Sequence, residues 1–237
     1  MAVKKTTSQD EQKKAAAIAA LKFVKPGMNI GLGTGSTANH FIRALAEKVK
    51  AGLGVKGVPT SRATAELAKE LGIPLTTLGE NSFLDLCVDG TDEFDPELRL
   101  IKGGGGALLI EKIVATSAKQ VVIIADESKR VKKLGAFPLP IEVVNVGVKA
   151  TGWKLERAFR MFDMKPKFTL RRSGDAVFRT DSGNVIVDVA CGAIDDPDRL
   201  EMVLNNIPGV VNNGLFCGIA TTILVATAKG VEEINRK

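Results

Sequence analysis

The sequence predicts an α/β fold in which an open, mostly parallel sheet is flanked by helices, with a smaller α+β domain inserted near the C-terminus. Three observations support this prediction. Short apolar runs alternate with helical patterns through the first half of the chain, which is typical of parallel sheets with crossover helices. The first apolar run enters a glycine-rich turn that leads into a helix. Beyond residue 140 the order of elements changes to β-α-β-β-α-β.

The composition is that of an enzyme with a sizeable core. The chain has 237 residues, of which 45% are apolar and 25% charged, with 24 glycines and few aromatic residues. No apolar run is long enough to span a bilayer, and residues 1–12 are too polar to be a secretory signal. Cys87, Cys191 and Cys217 form neither a metal-type pair nor an even disulfide set, which predicts a cytoplasmic location.

The net charge of +6 is spread along the chain. Its densest cluster, at residues 129–133, has no interleaved aromatic residues on which bases would stack. We therefore expect no nucleic-acid partner and no membrane partner. The basic character indicates a solvated face or attraction for a small anionic ligand.

The first half of the chain supplies the elements of the large sheet. Ser8 and Glu11 form a capping-box pattern that starts a helix over residues 9–24, which a Pro-Gly pair ends. A strand at 28–32 enters the glycine-rich turn, and a helix follows that turn. Further strands are predicted at 55–58, 73–78, 84–88 and 120–125, and further helices at 63–71 and 107–119.

The second part of the chain supplies the small domain. Strands are predicted at 141–146, 167–171, 184–190 and 210–216, and helices at 153–162 and 197–206. This order indicates a ferredoxin-like domain. A last strand at 221–226 is expected to rejoin the first, Rossmann-like sheet. The predicted domains are residues 1–138 with 218–237, and residues 139–217.

The turn at residues 31–37, GLGTGST, is a candidate anion site. It lies between a strand and a helix N-terminus, where unpaired N–H groups and the helix dipole favour a phosphate. A dinucleotide site is the rival reading, but Ser36 stands where the third glycine would be, and no acidic residue follows the next strand. The other alternative is a plain tight turn with Ser36 as the helix cap.

Carboxylates crowd the end of the strand at 84–88. Asp89 comes directly after this buried run, at the sheet edge where open α/β folds bind ligands, and Asp92 follows it. Both are therefore candidate site residues. Glu93 and Asp95 are interpreted as residues of a solvated turn, because the spacing does not match a calcium loop.

Lys102 precedes four consecutive glycines and a helix that contains Glu111. Successive glycine amides form an anion-binding nest, and a lysine adds a compact positive charge. Taken alone, Glu111 reads as an ordinary acid near a helix N-terminus. Lys129 follows another strand end and reads equally as a phosphate ligand or as part of the basic surface. His40 is the only histidine, so neither a catalytic triad nor a multi-histidine metal site is supported.

These motifs together resemble the type A ribose-5-phosphate isomerase family. The matching segments are GLGTGST at 31–37, VDGTDEFD at 88–95, LIKGGGGALLIEKIVA at 100–115, IADESKRV at 124–131, LGAFPLPIEV at 134–143 and IPGVVNNGLF at 207–216. The resemblance runs over almost the whole chain. It implies interconversion of D-ribose 5-phosphate and D-ribulose 5-phosphate without metal or organic cofactor, by a homodimer or a tetramer.

The resemblance also implies roles for individual residues. Glu111 matches the general base, and Asp89, Asp92 and Lys102 match polar groups of the active site. The implied substrate- and phosphate-binding residues are Thr34, Gly35, Ser36, Thr37, Gly90, Thr91, Gly103, Gly104, Gly105 and Lys129, with Lys13 as a further candidate near the phosphate.

Two alternatives stay open at this point. Related α/β folds serve regulators as modules that bind a sugar phosphate without converting it, although the sequence shows no helix-turn-helix. Another aldose–ketose isomerase, or an amino-sugar phosphate isomerase, on a similar scaffold is the second alternative. Ketose formation from ribose 5-phosphate separates these possibilities.

Overall fold

The computed structural model of the protein describes residues 8–236. Its helices are α1 (Gln9–Ala20), α2 (Ser36–Lys50), α3 (Arg62–Glu70), α4 (Leu108–Thr116), α5 (Val148–Arg160) and α6 (Pro197–Asn205). Its strands are β1 (Asn29–Leu32), β2 (Lys56–Pro59), β3 (Leu84–Asp89), β4 (Glu93–Phe94), β5 (Leu100–Ile101), β6 (Ala118–Asp126), β7 (Leu139–Val143), β8 (Lys167–Leu170), β9 (Arg172–Ser173), β10 (Ala176–Val177), β11 (Val185–Ala190), β12 (Val210–Asn213), β13 (Leu215–Phe216), β14 (Thr222–Thr227) and β15 (Gly230–Asn235). Residues 1–7, which belong to the stretch interpreted above as lacking a secretory signal, lie outside the described residues. Among the described helices, none has the length and apolar character needed to cross a bilayer.

Of the described residues, the first of two compact units comprises 8–91, Ile110–Arg130 and 219–236. Its six-stranded sheet has the order β15-β14-β6-β3-β1-β2. The strands from β14 to β2 are parallel, and β15 adds an antiparallel edge. The predicted open, mostly parallel sheet is therefore confirmed, and so is the return of a C-terminal strand to it.

The amphipathic pattern of the flanking helices explains how this unit is packed. Ser8 and Glu11 make the predicted capping box at the start of α1. This helix buries alanines, and α2 buries larger apolar side chains that include Phe41 and Leu45. Together with the apolar residues of β1, β3 and β6 they form one continuous core. Burying one large apolar side chain stabilises a fold by about 1.5–3 kcal/mol, so this core holds the helices against the sheet.

The second unit comprises Asp92–Leu109 and Val131–Gly218. Its four-stranded antiparallel sheet has the order β12-β7-β11-β8, and α5 and α6 belong to the same unit. Counted along the chain, these strands have the order 4-1-3-2, so the predicted ferredoxin-like domain is confirmed. The unit also contains a three-stranded sheet, β13-β5-β4, and the hairpin β9–β10. The sequence did not predict either of these.

Several predicted elements differ from the structure. The strand at 73–78 is wrong: this segment makes a single bridge, between Leu75 and Gly57, and Pro74 beside it has no N–H to donate to a ladder. The strand at 210–216 divides at Gly214, where a Cβ atom would lie 2.4 Å from the carbonyl oxygen of Lys102. The helix at 9–24 ends at Ala20 and continues as a short 3-10 helix. The helix at 153–162 begins earlier, at Val148.

Candidate active site

The carboxyl edge of the large sheet gathers the site residues of the first unit. Strands β6, β3 and β1 are neighbours in that order, and they end at Asp126, Asp89 and Leu32. Because parallel strands end at the same edge, Asp89 lies between the loops that follow its two neighbours.

Asp89 is buried, and its carboxylate holds the backbone of the adjacent loop. Its Oδ1 atom accepts hydrogen bonds from the N–H of Gly90 at 2.7 Å and from the N–H of Thr34 at 3.1 Å. Its Oδ2 atom is shielded from solvent. Gly33 permits this approach, because a Cβ atom there would lie 2.1 Å from Oδ1 of Asp89 and 2.6 Å from its Cα. The carboxylate and the glycine-rich loop are therefore held as one piece.

The loop leads into α2 with the geometry of an anion site. Gly35 is the N-cap and has a φ angle of 109°, a conformation that glycine adopts without strain. The alternative in which Ser36 caps this helix is therefore wrong. Ser36 is exposed and Thr37 is half-buried, and both lie in the first turn, where helical N–H groups have no intrahelical acceptor. Lys13 of α1 donates to Oγ of Ser36 at 3.2 Å, which brings a positive charge to this turn.

A cluster of hydroxyl groups supports the loop from below. Oγ1 of Thr34 lies 2.7 Å from Oγ1 of Thr60, 2.9 Å from Oγ of Ser61 and 3.1 Å from Oγ1 of Thr64. The hydroxyls of Thr60 and Thr64 donate in turn to the carbonyl oxygens of Leu32 and Gly33, each at 3.0 Å. Sequence analysis missed this cluster. The sequence signal for it is the run of small hydroxyl residues at the end of β2, Thr60 and Ser61 with Thr64.

Glu111 lies in the first turn of α4 and is 4% exposed. Its Oε2 atom has no contact with solvent. The helix leads into β6, which is parallel to β3, so α4 runs back along the sheet and its N-terminus lies at the carboxyl edge. One turn further on, Val114 lies so close to Gly31 that a Cβ atom on that glycine would be 2.6 Å away. Gly31 thus lets α4 approach the sheet, and Glu111 shares an edge with Asp89.

Lys129 ends the 3-10 helix that follows β6 and is half-buried. The side chain of Asp126 caps this short helix by accepting the N–H of Ser128 at 3.1 Å. Residue Gln12 of α1 donates to the carboxylate of Glu127 at 2.8 Å, so the helix that carries Lys13 packs on the same segment. The structure thus places both candidate phosphate-binding lysines at the carboxyl edge.

Asp92 and Lys102 lie in the second unit, at the ends of the paired strands β4 and β5. The register that pairs Glu93 with Ile101 continues to Asp92 opposite Lys102, and the N–H of Asp92 donates to the carbonyl of Ile101 at 2.9 Å. Lys102 is 4% exposed, and its Nζ atom lies 5.6 Å from the centre of the Phe216 ring. An ammonium group held over an aromatic ring in a buried position is well placed to act on a developing negative charge.

The four glycines after Lys102 form a tight turn. The N–H of Gly106 donates to the carbonyl of Gly103 at 3.0 Å, and both residues have positive φ angles. Gly104 and Gly105 form the exposed tip. The N–H of Gly104 donates to Oδ2 of Asp92 at 2.8 Å. A Cβ atom on Gly104 would lie 2.7 Å from Oδ1 of the same carboxylate, so a side chain there would displace the end of the Asp92 side chain.

Glu93 and Asp95 differ from their interpretation as residues of a solvated turn, because both are buried. Glu93 accepts hydrogen bonds from the N–H groups of Gly135 at 2.7 Å and Phe137 at 2.5 Å. Asp95 pairs with Arg99. Both carboxylates therefore stabilise the second unit.

Within residues 8–236, the structure favours neither a metal site nor a cysteine nucleophile. No cluster of three or more histidine, cysteine, aspartate or glutamate side chains in this range has the geometry to hold a metal ion. His40 pairs with Asp10 on the surface of α1. None of the three cysteines forms a disulfide. Burial raises the pKa of Cys191 to about 11, and burial followed by the charge of Glu201 raises the pKa of Cys217 further, so neither thiol is a nucleophile at neutral pH.

A parallel sheet with buried carboxylates and a helix N-terminus along its carboxyl edge is typical of an α/β enzyme that acts on a small anionic substrate. Comparison with known proteins makes this class specific. The chain belongs to the ribose 5-phosphate isomerase A (phosphoriboisomerase A) family, whose family model matches residues 56–230.

Individual relatives agree with this assignment over nearly the full chain. A protein from Parvibaculum lavamentivorans named ribose-5-phosphate isomerase A is 57% identical over 228 residues, which cover 95% of this chain and 98% of that protein. A solved ribose 5-phosphate isomerase from Plasmodium falciparum has a TM-score of 0.91 and 36% identity, covering 96% of this chain and 99% of its own. A D-ribose-5-phosphate isomerase solved with phospho-erythronic acid has a TM-score of 0.90 and 42% identity, covering 97% and 100%.

Proposed function

We propose that this protein interconverts D-ribose 5-phosphate and D-ribulose 5-phosphate, as an aldose–ketose isomerase of the non-oxidative pentose phosphate pathway. The observation that carries this proposal is the full-length similarity to proteins that bear this enzyme's name. The buried acids and the glycine turns described above supply the groups that such a reaction needs.

The reaction requires a base for the hydrogen on C2 of the open-chain aldose. We assign this role to Glu111. The carboxylate takes the C2 proton, an enediolate forms between C1 and C2, and the same carboxylate returns a proton to C1. A second proton moves from the C2 oxygen to the C1 oxygen, which balances the exchange of aldehyde for ketone. A carboxylate that is shielded from water is suited to this step, since desolvation makes it a stronger base.

The enediolate carries negative charge on oxygen, and Lys102 with the glycine turn is assigned to stabilise it. A fixed ammonium group and backbone N–H donors aimed at a developing oxyanion lower the barrier by several kcal/mol in typical enzymes, about 3–4 kcal/mol for one donor. The anchoring of Lys102 over Phe216 and the hydrogen bond from Gly104 to Asp92 support preorganised groups.

Asp89 and Asp92 are assigned to proton transfer between the hydroxyl oxygens or to opening of the sugar ring. Asp89 also has a positioning role, because its Oδ1 atom holds the N–H groups of Thr34 and Gly90. Thr91 and Gly90 continue from this carboxylate and are assigned to substrate contact.

The phosphate is assigned to the first turn of α2 and to two lysines. Ser36 and Thr37 supply N–H and hydroxyl donors, and Lys13 and Lys129 supply positive charge. Remote phosphate contacts hold the reacting carbons in place, so that binding energy contributes to the chemical step.

We also propose that the protein acts in the cytoplasm as a homo-oligomer, either a dimer or a tetramer. Three cysteines that form no disulfide suit a reducing compartment. Light scattering coupled to size-exclusion chromatography distinguishes a monomer from these assemblies.

The experiment that tests the proposed function is direct. The protein is treated with a chelator, desalted and incubated with ribose 5-phosphate, and ketose formation is followed with time. We expect ribulose 5-phosphate to form, and the same preparation carrying Glu111→Gln to form none. Ligand binding without ketose formation would favour a sugar-phosphate-binding module instead. Conversion of a different aldose phosphate in preference to ribose 5-phosphate would favour another isomerase.

A further inference from the structure

The hairpin β9–β10 of the second unit places two side chains against the turn formed by the four glycines at residues 103–106. Arg171 directly precedes β9 and Phe178 directly follows β10, and the N–H of Phe178 donates to the carbonyl of Arg171 at 3.0 Å. The Phe178 ring lies against Gly106, where a Cβ atom would be 2.4 Å from its Cζ atom. The two ends of one hairpin therefore contact a turn that lies far away in the sequence.

The guanidinium of Arg171 is held on both of its sides. Its Nη1 atom donates to the carbonyl of Gly103 at 2.9 Å and to the carbonyl of Gly104 at 3.1 Å. Its Nε and Nη2 atoms donate to the two carboxylate oxygens of Asp188, at 2.9 and 2.5 Å. Such a bidentate pair fixes the plane of the guanidinium, which a lysine in this position would not achieve.

We propose that Arg171 is a positioning residue for the isomerase reaction, and that it orients the amide of Gly105 as a donor to the enediolate. This inference rests on the proposed function. In a trans peptide the C=O and the N–H point to opposite sides. Because Arg171 holds the carbonyl of Gly104, the N–H of Gly105 in the same peptide points away from the guanidinium.

The preceding peptide, between Gly103 and Gly104, is held at both its carbonyl oxygen and its N–H group. The carbonyl of Gly103 accepts from Arg171, and the N–H of Gly104 donates to Asp92. Since Gly104 already has a carboxylate acceptor, Gly105 is the tip residue whose amide is assigned to substrate. A cation on the carbonyl side also polarises each peptide and strengthens its N–H as a donor.

Arg171 is not itself assigned as a ligand for the substrate phosphate. It lines a cavity of about 440 Å³ together with Asp188 and Gly104. However, its charge is paired with Asp188, and its Nη1 atom is engaged by the two glycine carbonyls. The contacts of Arg171 therefore favour a role in supporting the glycine turn and not a role in binding an anion.

The test compares Arg171→Met with Arg172→Met, a matched control on the same hairpin whose guanidinium donates to the carbonyl of Asp175 instead of the glycine turn. Both variants and the wild type are assayed for kcat and KM with ribose 5-phosphate. Affinity is measured for two probes: phospho-erythronic acid, whose carboxylate resembles the enediolate, and ribitol 5-phosphate, which has the phosphate and no such anion. Thermal unfolding monitors the fold.

For Arg171→Met we expect kcat to fall about 10- to 100-fold with KM within about threefold of the wild type. The affinity for phospho-erythronic acid should fall in parallel, while the affinity for ribitol 5-phosphate is kept. Equal kcat in Arg171→Met and Arg172→Met would overturn the inference, and so would an equal loss of affinity for both probes. If Arg171→Met does not fold, Arg171→Lys gives the decision: an intermediate loss of kcat supports the role, and an unchanged kcat overturns it. A wild type without isomerase activity would instead contradict the proposed function.

Discussion

Two glycine-rich turns carry the proposed chemistry, and the chain supports them in different ways. The turn at residues 33–35 rests on a cluster of uncharged hydroxyls and on the carboxylate of Asp89. The turn at residues 103–106 is held between charged side chains, Arg171 on its carbonyls and Asp92 on an amide. The groups that support the first turn all lie at the sheet edge, whereas the second turn is also held by Arg171, which comes from a hairpin distant in the sequence.

This difference corresponds to the division of labour that we propose. The first turn opens a helix N-terminus, which suits the binding of a phosphate that does not change during the reaction. The second turn follows Lys102, and we assign its amides to the negative charge that develops on the enediolate during the reaction. Changes at the second turn should therefore act mainly on kcat, and changes at the first turn mainly on KM or on stability.

Among the changes that test this comparison of the two turns, the largest effect is expected at Lys102. Lys102→Met removes the ammonium group over Phe216 and keeps the length of the side chain, so kcat should fall about 100- to 1,000-fold with little change in KM. Lys119→Met is the control, because Lys119 is exposed and makes only a long contact of 3.4 Å to Asp85. Steady-state kinetics give both constants. If only KM changed, Lys102 would contribute to substrate binding and not to stabilising the enediolate.

The next largest effects are expected at the glycines of the two turns, and they differ in whether stability or kcat is lost. Gly33→Ala places a Cβ atom 2.6 Å from the Cα of Asp89, a backbone contact that cannot relax, so the free energy of unfolding should fall by about 2–3 kcal/mol. Gly104→Ala meets only the end of the Asp92 side chain, which can rotate. For Gly104→Ala we expect less than about 1 kcal/mol of destabilisation and roughly a tenfold loss of kcat. Urea unfolding and kinetics on both variants check this. A larger loss of unfolding free energy in Gly104→Ala than in Gly33→Ala would contradict the proposed difference between the two turns.

The smallest effect is expected at Lys129. Lys129→Ala removes one phosphate-directed charge, so KM should rise about tenfold while kcat stays within about twofold. Lys133→Ala provides the control, since Lys133 pairs with Asp195 on the surface. Competition by inorganic phosphate should weaken in the first variant only. An unchanged KM would remove Lys129 from the proposed phosphate site.

Sequence analysis predicted the large sheet and the small domain because their strands and helices are long enough to show periodicity. It missed β4 and β5, which have two residues each and therefore no pattern to detect. It gave a strand to residues 73–78 from their apolar content, although Pro74 limits pairing there. The domain limits at 138 and 217 stay predictions.

The candidate site likewise contains residues that local sequence patterns predicted and residues that they did not. Asp89 and the turn before α2 were predicted from their position at the end of apolar strands, which is a local signal. The role of Glu111 as the base was predicted from the resemblance alone, because an acid near a helix N-terminus has no distinctive local pattern. Arg171 gave no signal at all: its contacts with the glycine turn follow from the folding of the hairpin, and one sequence does not record such distant contacts.

The central claim is that the carboxylate of Glu111 moves the proton between C2 and C1. The most direct measurement follows ribose 5-phosphate deuterated at C2 with the wild type and with Glu111→Gln, both shown to bind phospho-erythronic acid. We predict ketose formation and loss of deuterium from C2 with the wild type. With the variant, both processes should be slower by a factor of about 1,000 or more. Washout of deuterium by Glu111→Gln at a rate near that of the wild type would contradict the account.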